Sequence, residues 1–482
     1  MITTAQLRDR EELGLRLAAA GGTGPALADV RKKHVDAFVR LGEYLAGRGL
    51  EASDAFFVPG RIEVLGKHTD YAGGRSLLCA VSRGFRVVVA PADSPAVEFV
   101  DVDRGRSTAF RVDAHLEPAT GTWAAYPQVV ARRLAANFGI DRGGVVAFTS
   151  DLPIAAGISS SSALVVASFL ALIEMNSDRD DTAFGSGRGL SRGSAASAAA
   201  GLHNSILKTH TFPDLPSLAD YLGCVENGRD YPGLPGTSGV GTKGGSEDHT
   251  AILCSKPGEL SQYAFAPTLF EASAPMPAGH AFVIASSGIA AEKTGAALAD
   301  YNYLGLLCDV AVEAWTRYTG VSVRHLGEIL SRAPVSDLEA AVAAYARVGV
   351  RPERVVERVR QFHAETFETI PAAVEALHAG DIRSFGVLVE RSQQGAETGL
   401  RNQIPETVHL VATANRLGAV AASAFGAGFG GSVWAMVDVD TADAFAGAWA
   451  DDYRAAFPSV ADEAQFFVEQ PGPAAFGIGV RS

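Results

Sequence analysis

The chain has 482 residues, 47% hydrophobic and 20% charged, with a net charge of −13. That length exceeds one ordinary core, so two domains are expected, and the composition is that of a globular protein. The acidic balance excludes a broad nucleic-acid surface, and four cysteines (Cys79, Cys224, Cys254, Cys308) without a CxxC spacing read as reduced thiols rather than a metal or disulfide framework.

The opening stretch, MITTAQLRDREELGLRLAAAGG, alternates charge with leucine and lacks the basic-then-apolar order of a secretory leader, so the expected location is the cytoplasm. Residues 27–48 carry a helical pattern in Val30, Val35, Phe38, Leu41 and Leu45. AFFVPGRIEVLG then reads as a strand interrupted by a Pro-Gly turn, followed by GKHTDYAGG, which crowds Lys67, His68, Asp70 and Tyr71 between glycines. GFRVVVAPA and AVEFVDVD read as strands. Trp123, Tyr126, Val130, Leu134 and Phe138 share one helical face, stopped by Gly139, and GVVAFTS is another strand. Strands and helices mix without a βαβ rhythm, which gives an α+β class.

LPIAAGISSSSALVVASFLA combines a tight loop at Gly157, four serines and an apolar helical run too short to span a bilayer. A helix N-terminus there presents unpaired N–H groups and a positive dipole end, which suit a phosphate. A single capping serine would be the plainer account, but the run of four with small residues before it favours the anion. Residues 176–240 read as an insertion, beginning with a polar Gly/Ser/Arg-rich run. Within GTSGVGTKGGSEDHTAIL, Glu247, Asp248 and His249 follow a glycine turn, where a carboxylate is either solvated or presented for catalysis. A second half begins near APMPAGHAFVIASSG, with a strand around 281–285 and helical patterns from 290 to 416. FGAGFGG satisfies G-x-G-x-x-G but leads into the strand SVWAMVDV near the C-terminus, which is the wrong context for a dinucleotide fingerprint. AQFFVEQ is the last clear strand.

In this order, PGRIEVLGKHTDYAGG, LPIAAGISSSSA, GGSEDH and FGAGFGG resemble the galactokinase branch of the GHMP small-molecule kinases, over roughly 55–260 and 280–437. The resemblance implies a two-domain α+β GHMP kinase fold. Its N-terminal mixed-sheet domain, of ribosomal protein S5 domain 2-like type, is expected over 51–275. Its C-terminal ferredoxin-like α/β domain is expected over 276–482, and 1–50 form a helical extension. The implied activity is phosphorylation of a monosaccharide at its anomeric hydroxyl, with ATP and Mg²⁺, by a monomer or weak homodimer with no nucleic-acid or membrane partner. Asp248 matches the catalytic aspartate and Arg61 the arginine that stabilises developing charge. Gly157, Ser159, Ser160, Ser161 and Ser162 match the loop that wraps the ATP phosphates, with Ser161 and Glu226 as the implied Mg²⁺ ligands. His68, Asp70 and Tyr301 match sugar-contacting positions, and Gly428, Gly430 and Gly431 a loop that lets the C-terminal domain close.

Three positions depart from the family pattern: Glu63 stands for an asparagine, His249 for a glutamine, and Lys67 for the glutamate of the sugar loop. An ammonium donates hydrogen bonds and accepts none, so Lys67 at a substrate-binding position predicts an acidic sugar such as a hexuronic acid. The rival expectation is that Lys67 pairs with Glu63 and the substrate is galactose or a neutral relative. A catalytically silent sugar and ATP sensor is the alternative class, against which stand the intact serines, Asp248 and Arg61.

Overall fold

The structure, a computed structural model, describes residues 1–21, 28–153, 157–177, 212–290, 295–345 and 347–478. Most of the expected insertion, including its Gly/Ser/Arg-rich run, lies outside them. The remainder of it contributes the Leu215–Asn227 helix, whose Leu218, Leu222 and Val225 join the main core.

The first sheet is built on two long strands, β1 (Asp54–Leu65) and β2 (Arg75–Pro91). They are flanked by β3 (Ala96–Asp101), β4 (Arg106–Arg111), β5 (Gly144–Ser150), β6 (Glu259–Ala264) and β7 (Leu269–Pro275). The order is β12-β1-β2-β5-β3-β4, where β12 is Phe476–Gly477 from the end of the chain. β2 is long enough to pair with β5 through Phe85–Pro91 and with β6 through Arg75–Leu78, and β6 pairs in turn with β7. The expected Pro-Gly turn is instead a bulge inside a continuous β1, with the register shifting between Pro59 and Arg61. Gly60 is required there, because a Cβ would fall 2.7 Å from Leu152 Cδ2 and 2.8 Å from the Ile158 carbonyl oxygen. That close approach brings the serine-rich loop onto β1.

Strand alternation divides the sheet's two faces. Phe56, Val58, Ile62 and Val64 point into the main core with the Ala125–Phe138 and Ser160–Met175 helices. Ala55 and Phe57 point the other way, against Phe38, Leu41 and Leu45 of the Ala28–Gly47 helix. The described part of residues 1–50 is therefore a helical cover on one face of the first sheet.

The second sheet comprises β8 (His280–Ser286), β9 (Ala421–Phe425), β10 (Ser432–Asp438) and β11 (Gln465–Glu469), ordered β11-β8-β10-β9 and wholly antiparallel. This is the 4-1-3-2 order of a ferredoxin-like sheet. The Pro405–Arg416 and Ala442–Ala456 helices cover one face through Leu410, Trp449 and Tyr453. Phe282, Ile284 and Trp434 turn the other face towards Phe385 and Val389 of the Ile382–Gly395 helix. The 276–482 boundary needs one correction: after β11 the chain returns to the first sheet, with Gly472 bridging Ala80 and β12 pairing with β1. Among the described residues no helix is long and apolar enough to cross a membrane.

Candidate active site

A cleft lies between the two sheets. Four short segments meet there. β1 supplies Arg61 and Glu63, two residues apart and so on the same strand face. The next loop supplies His68 and Asp70. His68 takes a left-handed conformation (φ 60°), its Nδ1 lies 3.0 Å from the Tyr71 hydroxyl, and its Nε2 lies 2.9 Å from the Ala427 carbonyl oxygen. Asp70 accepts hydrogen bonds from the Tyr71, Gly245 and Glu247 N–H groups at 2.8, 3.1 and 3.3 Å. That carboxylate thus ties the loop to the first turn of the Glu247–Cys254 helix, where the dipole favours negative charge.

That helix places Asp248 against Arg61. The Arg61 Nε and Nη2 atoms lie 2.8 and 2.7 Å from Asp248 Oδ1, and Nη1 donates to the Gly157 carbonyl at 2.6 Å. One guanidinium therefore connects the carboxylate to the serine-rich loop. Gly157 (φ 74°) and Ser159 (φ 56°) turn that loop into the Ser160–Met175 helix, and the Ser159 side chain makes no capping hydrogen bond. The capping-serine account fails on that point.

Glu226, one of the two expected metal ligands, lines the cleft. Ser162, not Ser161, lines the cleft, its hydroxyl donating to Glu226 Oε2 at 2.8 Å with Asp248 Oδ2 at 3.1 Å. One hydroxyl and one carboxylate are hard oxygen donors, the sparse set that Mg²⁺ takes when substrate phosphates complete its shell. Ser162→Ala is expected to raise the KM for Mg-ATP at least tenfold while leaving sugar affinity within about threefold. Steady-state kinetics with each substrate varied in turn would show it, and an equal loss for both would remove the metal role.

Lys67 is a correction. It is 1% exposed and absent from the cleft lining. Its ammonium donates instead to Ser423 Oγ at 2.8 Å, with Ser392 Oγ at 3.2 Å, and Ser392 donates onward to Glu365. The side chain crosses from the sugar loop into the C-terminal domain because buried hydroxyls and a buried carboxylate satisfy it there. The pairing with Glu63 is correct only as a field effect, the Lys67 charge being one of those that favour the ionised form of Glu63.

Tyr301 lines the cleft with its ring 5.0 Å from that of His68. Burial, with Asp70 adding repulsion, pushes its phenol well above the usual range, so it remains a hydrogen-bond donor. The glycine loop touches the cleft through Gly426 and Ala427, not Gly428, Gly430 or Gly431. Gly428 and Gly430 turn the chain around Asn402 and Ile289, where a side chain would clash.

Two carboxyls were not expected as cleft residues. Glu63 accepts from the Gly426 N–H at 3.2 Å and Glu247 from Ser76 Oγ at 2.7 Å; both are buried and face each other. Burial raises the Glu63 carboxyl to about 7 against the opposing charges of Arg61 and Lys67. Glu247 is raised by burial and by Glu63 and Asp70. One proton shared by the pair is the physical outcome. Because the folded-state value of Glu63 lies above its unfolded value of 4.5, the folded protein binds the extra proton between them. The stability this brings is full below the lower value and is lost as pH rises through the upper. Tm is thus expected to fall from about pH 6 to about pH 8, and Glu63→Gln to flatten the slope. An identical slope in that variant would exclude the shared proton.

Comparison with known proteins follows the same segments. A family profile described as the galactokinase galactose-binding signature matches residues 49–91. The GHMP kinases N terminal domain profile matches 125–184, and the GHMP kinases C terminal profile matches 373–455. The galactokinase of Halalkalibacterium halodurans is 26% identical over 399 residues, covering 81% of this chain and 85% of its own. That of Roseiflexus sp. is 27% identical over 393 residues, covering 80% and 84%. Among solved structures, Lactococcus lactis galactokinase complexed with galactose superposes with a TM-score of 0.65 at 22% identity, covering 88% of this chain and 94% of its own.

Proposed function

From the premise that this chain belongs to the galactokinase branch of the GHMP kinases and is a sugar kinase, we propose that it transfers the γ-phosphoryl group of ATP to the anomeric hydroxyl of a hexose of the galactose type. The observation that carries this reading is the Arg61–Asp248 pair, held between the serine-rich loop and the sugar loop by Gly157 on one side and Asp70 on the other.

In this reading the sugar lies against His68, Asp70 and Tyr301, with its anomeric hydroxyl at Asp248. The phosphates lie on Gly157 and the N–H groups at the start of the Ser160–Met175 helix. Mg²⁺, held by Ser162 and Glu226, would neutralise phosphate charge when bound. Asp248 receives the hydroxyl proton. An ordinary carboxylate is a weak base for a sugar hydroxyl, so proton transfer follows rather than precedes attack. Alignment of hydroxyl and phosphate, with Arg61 beside the developing charge, then supplies most of the rate.

The acidic-substrate expectation loses its support with the burial of Lys67. A uronate carboxylate would enter a cleft lined by Glu63, Asp70, Glu226, Glu247 and Asp248, with Arg61 already engaged. A neutral sugar fits that lining better. The test is ADP release with Mg-ATP on galactose against galacturonate, with Asp248→Asn as the blank. Turnover of galactose but not galacturonate supports the reading. Turnover of galacturonate alone would reverse it, and binding of both ligands without turnover would leave the sensor.

A further inference from the structure

Resting on that kinase reading, we propose that Arg358, on a helix behind the sugar loop, is a positioning residue for the sugar: through the His68 carbonyl and the Tyr71 hydroxyl it fixes how the His68 ring stands in the cleft.

The Pro352–His363 helix packs through Val355, Val359 and Phe362 into a core shared with Leu304, Leu307 and Val310 of the Gly295–Thr319 helix. Ala72, at the end of the sugar loop, joins that core. Arg358 lies on the same helical stripe and is fully buried. Among the described residues it has no carboxylate partner. Its Nη1 donates to Gln361 Oε1 at 2.5 Å, its Nη2 donates to the His68 carbonyl and lies 3.4 Å from the Tyr71 hydroxyl, and its Nε has no partner. The Phe362 ring, 5.7 Å from the guanidinium carbon, is the remaining support for the charge. A buried cation without an anion is costly, and an apolar side chain would fill the same stripe more cheaply. What the guanidinium adds is a grip on two oxygens of the sugar loop.

Those two oxygens control His68. Its backbone is left-handed (φ 60°), a conformation that a β-carbon disfavours, and a charge-assisted bond to its carbonyl holds it there. Its ring is set through the hydroxyl. The Ala427 carbonyl only accepts, so Nε2 carries the hydrogen and Nδ1 accepts from Tyr71. The Tyr71 hydroxyl then turns its lone pairs to Arg358, a cation that has donors alone to offer. Donation therefore runs from Arg358 to Tyr71, to His68, to Ala427, which leaves one tautomer and one ring orientation. The ring so fixed stands 5.0 Å from that of Tyr301. Neither Arg358 nor Tyr71 lines the cleft, so both act on the sugar through His68.

The experiment measures kcat and KM for galactose, KM for Mg-ATP, and Tm, in the full-length protein, in Arg358→Lys, in Tyr71→Phe and in the double variant. Lysine keeps the charge but lacks the planar fork that spans both oxygens, and phenylalanine removes only the middle hydroxyl. The expected result is a galactose KM raised about tenfold or more in each single variant, with kcat and the Mg-ATP KM within about threefold. Because the two residues are links of one chain, the double variant is expected to stay within about twofold of the more severe single. A lowered Tm with the galactose KM unchanged would overturn the proposal and leave Arg358 as a core residue. Equal losses for galactose and Mg-ATP would overturn it too, as would single effects that simply multiply in the double variant. Should Arg358→Lys fail to fold, the galactose KM of Tyr71→Phe decides alone. No phosphorylation of galactose by the unaltered protein would overturn the kinase reading, and the proposal with it.

Discussion

Asp248→Asn is expected to lower kcat by about 10²–10⁴, with the KM for ATP changed only a few-fold. The substitution keeps the shape of the side chain and removes both its charge and its capacity to take a proton. In the native site Oδ1 receives the Arg61 guanidinium and Oδ2 the Ser162 hydroxyl. An amide can satisfy one of these donors with its oxygen, but its NH₂ group must then face the other. With the oxygen towards Arg61, the amide displaces the Ser162 hydroxyl towards Glu226, which already accepts from it at 2.8 Å. The backbone of the serine-rich loop is left in place, so ATP affinity is expected to survive while the step that consumes the hydroxyl proton slows. Single-turnover kinetics with ATP in excess would isolate that step. A fall of less than about tenfold would remove Asp248 from the role of proton acceptor and leave it as an anchor for Arg61.

Lys67→Glu is expected to cost about 3–5 kcal/mol of stability, seen as a fall in Tm of several degrees, without creating or abolishing a preference for acidic sugars. The reversed charge would be buried beside Ser392, whose hydroxyl already donates to Glu365, and close to Glu63. Three acids, the new carboxylate with Glu365 and Glu63, would then crowd a space that excludes water. The carboxylate would also face the oxygen of Ser423, whose hydroxyl already donates to Gln393 Oε1. Lys67→Met is expected to cost less, since it removes the cation without adding an anion; Glu63 would bind its proton more tightly as a result. Differential scanning calorimetry on the two variants, with the galactose and galacturonate assays run in parallel, separates a structural Lys67 from a substrate clamp. A change in sugar preference with an unaltered Tm would restore the clamp.

Features that close within a short window were legible in the sequence. The serine run, the sugar loop and the glycine loop each hold their chemistry in about a dozen residues, because backbone N–H groups and small side chains do the work locally. Their order along the chain carried the fold class and the ferredoxin-like second sheet. What failed depended on partners remote in sequence. Lys67 meets Ser392 and Ser423, 325 and 356 residues away, in segments whose own patterns read only as amphipathic helix and strand. Glu63 was visible as an oddity, but its apposition to Glu247 needs β1 and the Glu247–Cys254 helix side by side. The choice between Ser161 and Ser162 turns on about 100° of helical rotation, which a run of identical residues cannot reveal. Pro59-Gly60 misled because the same dipeptide serves a turn or a bulge, and only the strand beyond it decides.

The return of the chain to the first sheet constrains how the two halves can part. β8 and β11 are antiparallel neighbours, with Phe282 opposite Glu469, so the chain enters and leaves the second sheet at the same end. The two connections run side by side: Gln470 donates to the His280 carbonyl, and Gly258, whose carbonyl accepts from Met276 of the first connection, donates to that of Pro471 in the second. Glu469 then fastens the second connection to Ser82 and Arg83 on β2. Two adjacent straps, with one buried core running from Phe56 and Ile62 of β1 to Phe282 and Trp434 of the second sheet, fix the register in which Glu63 receives the Gly426 N–H.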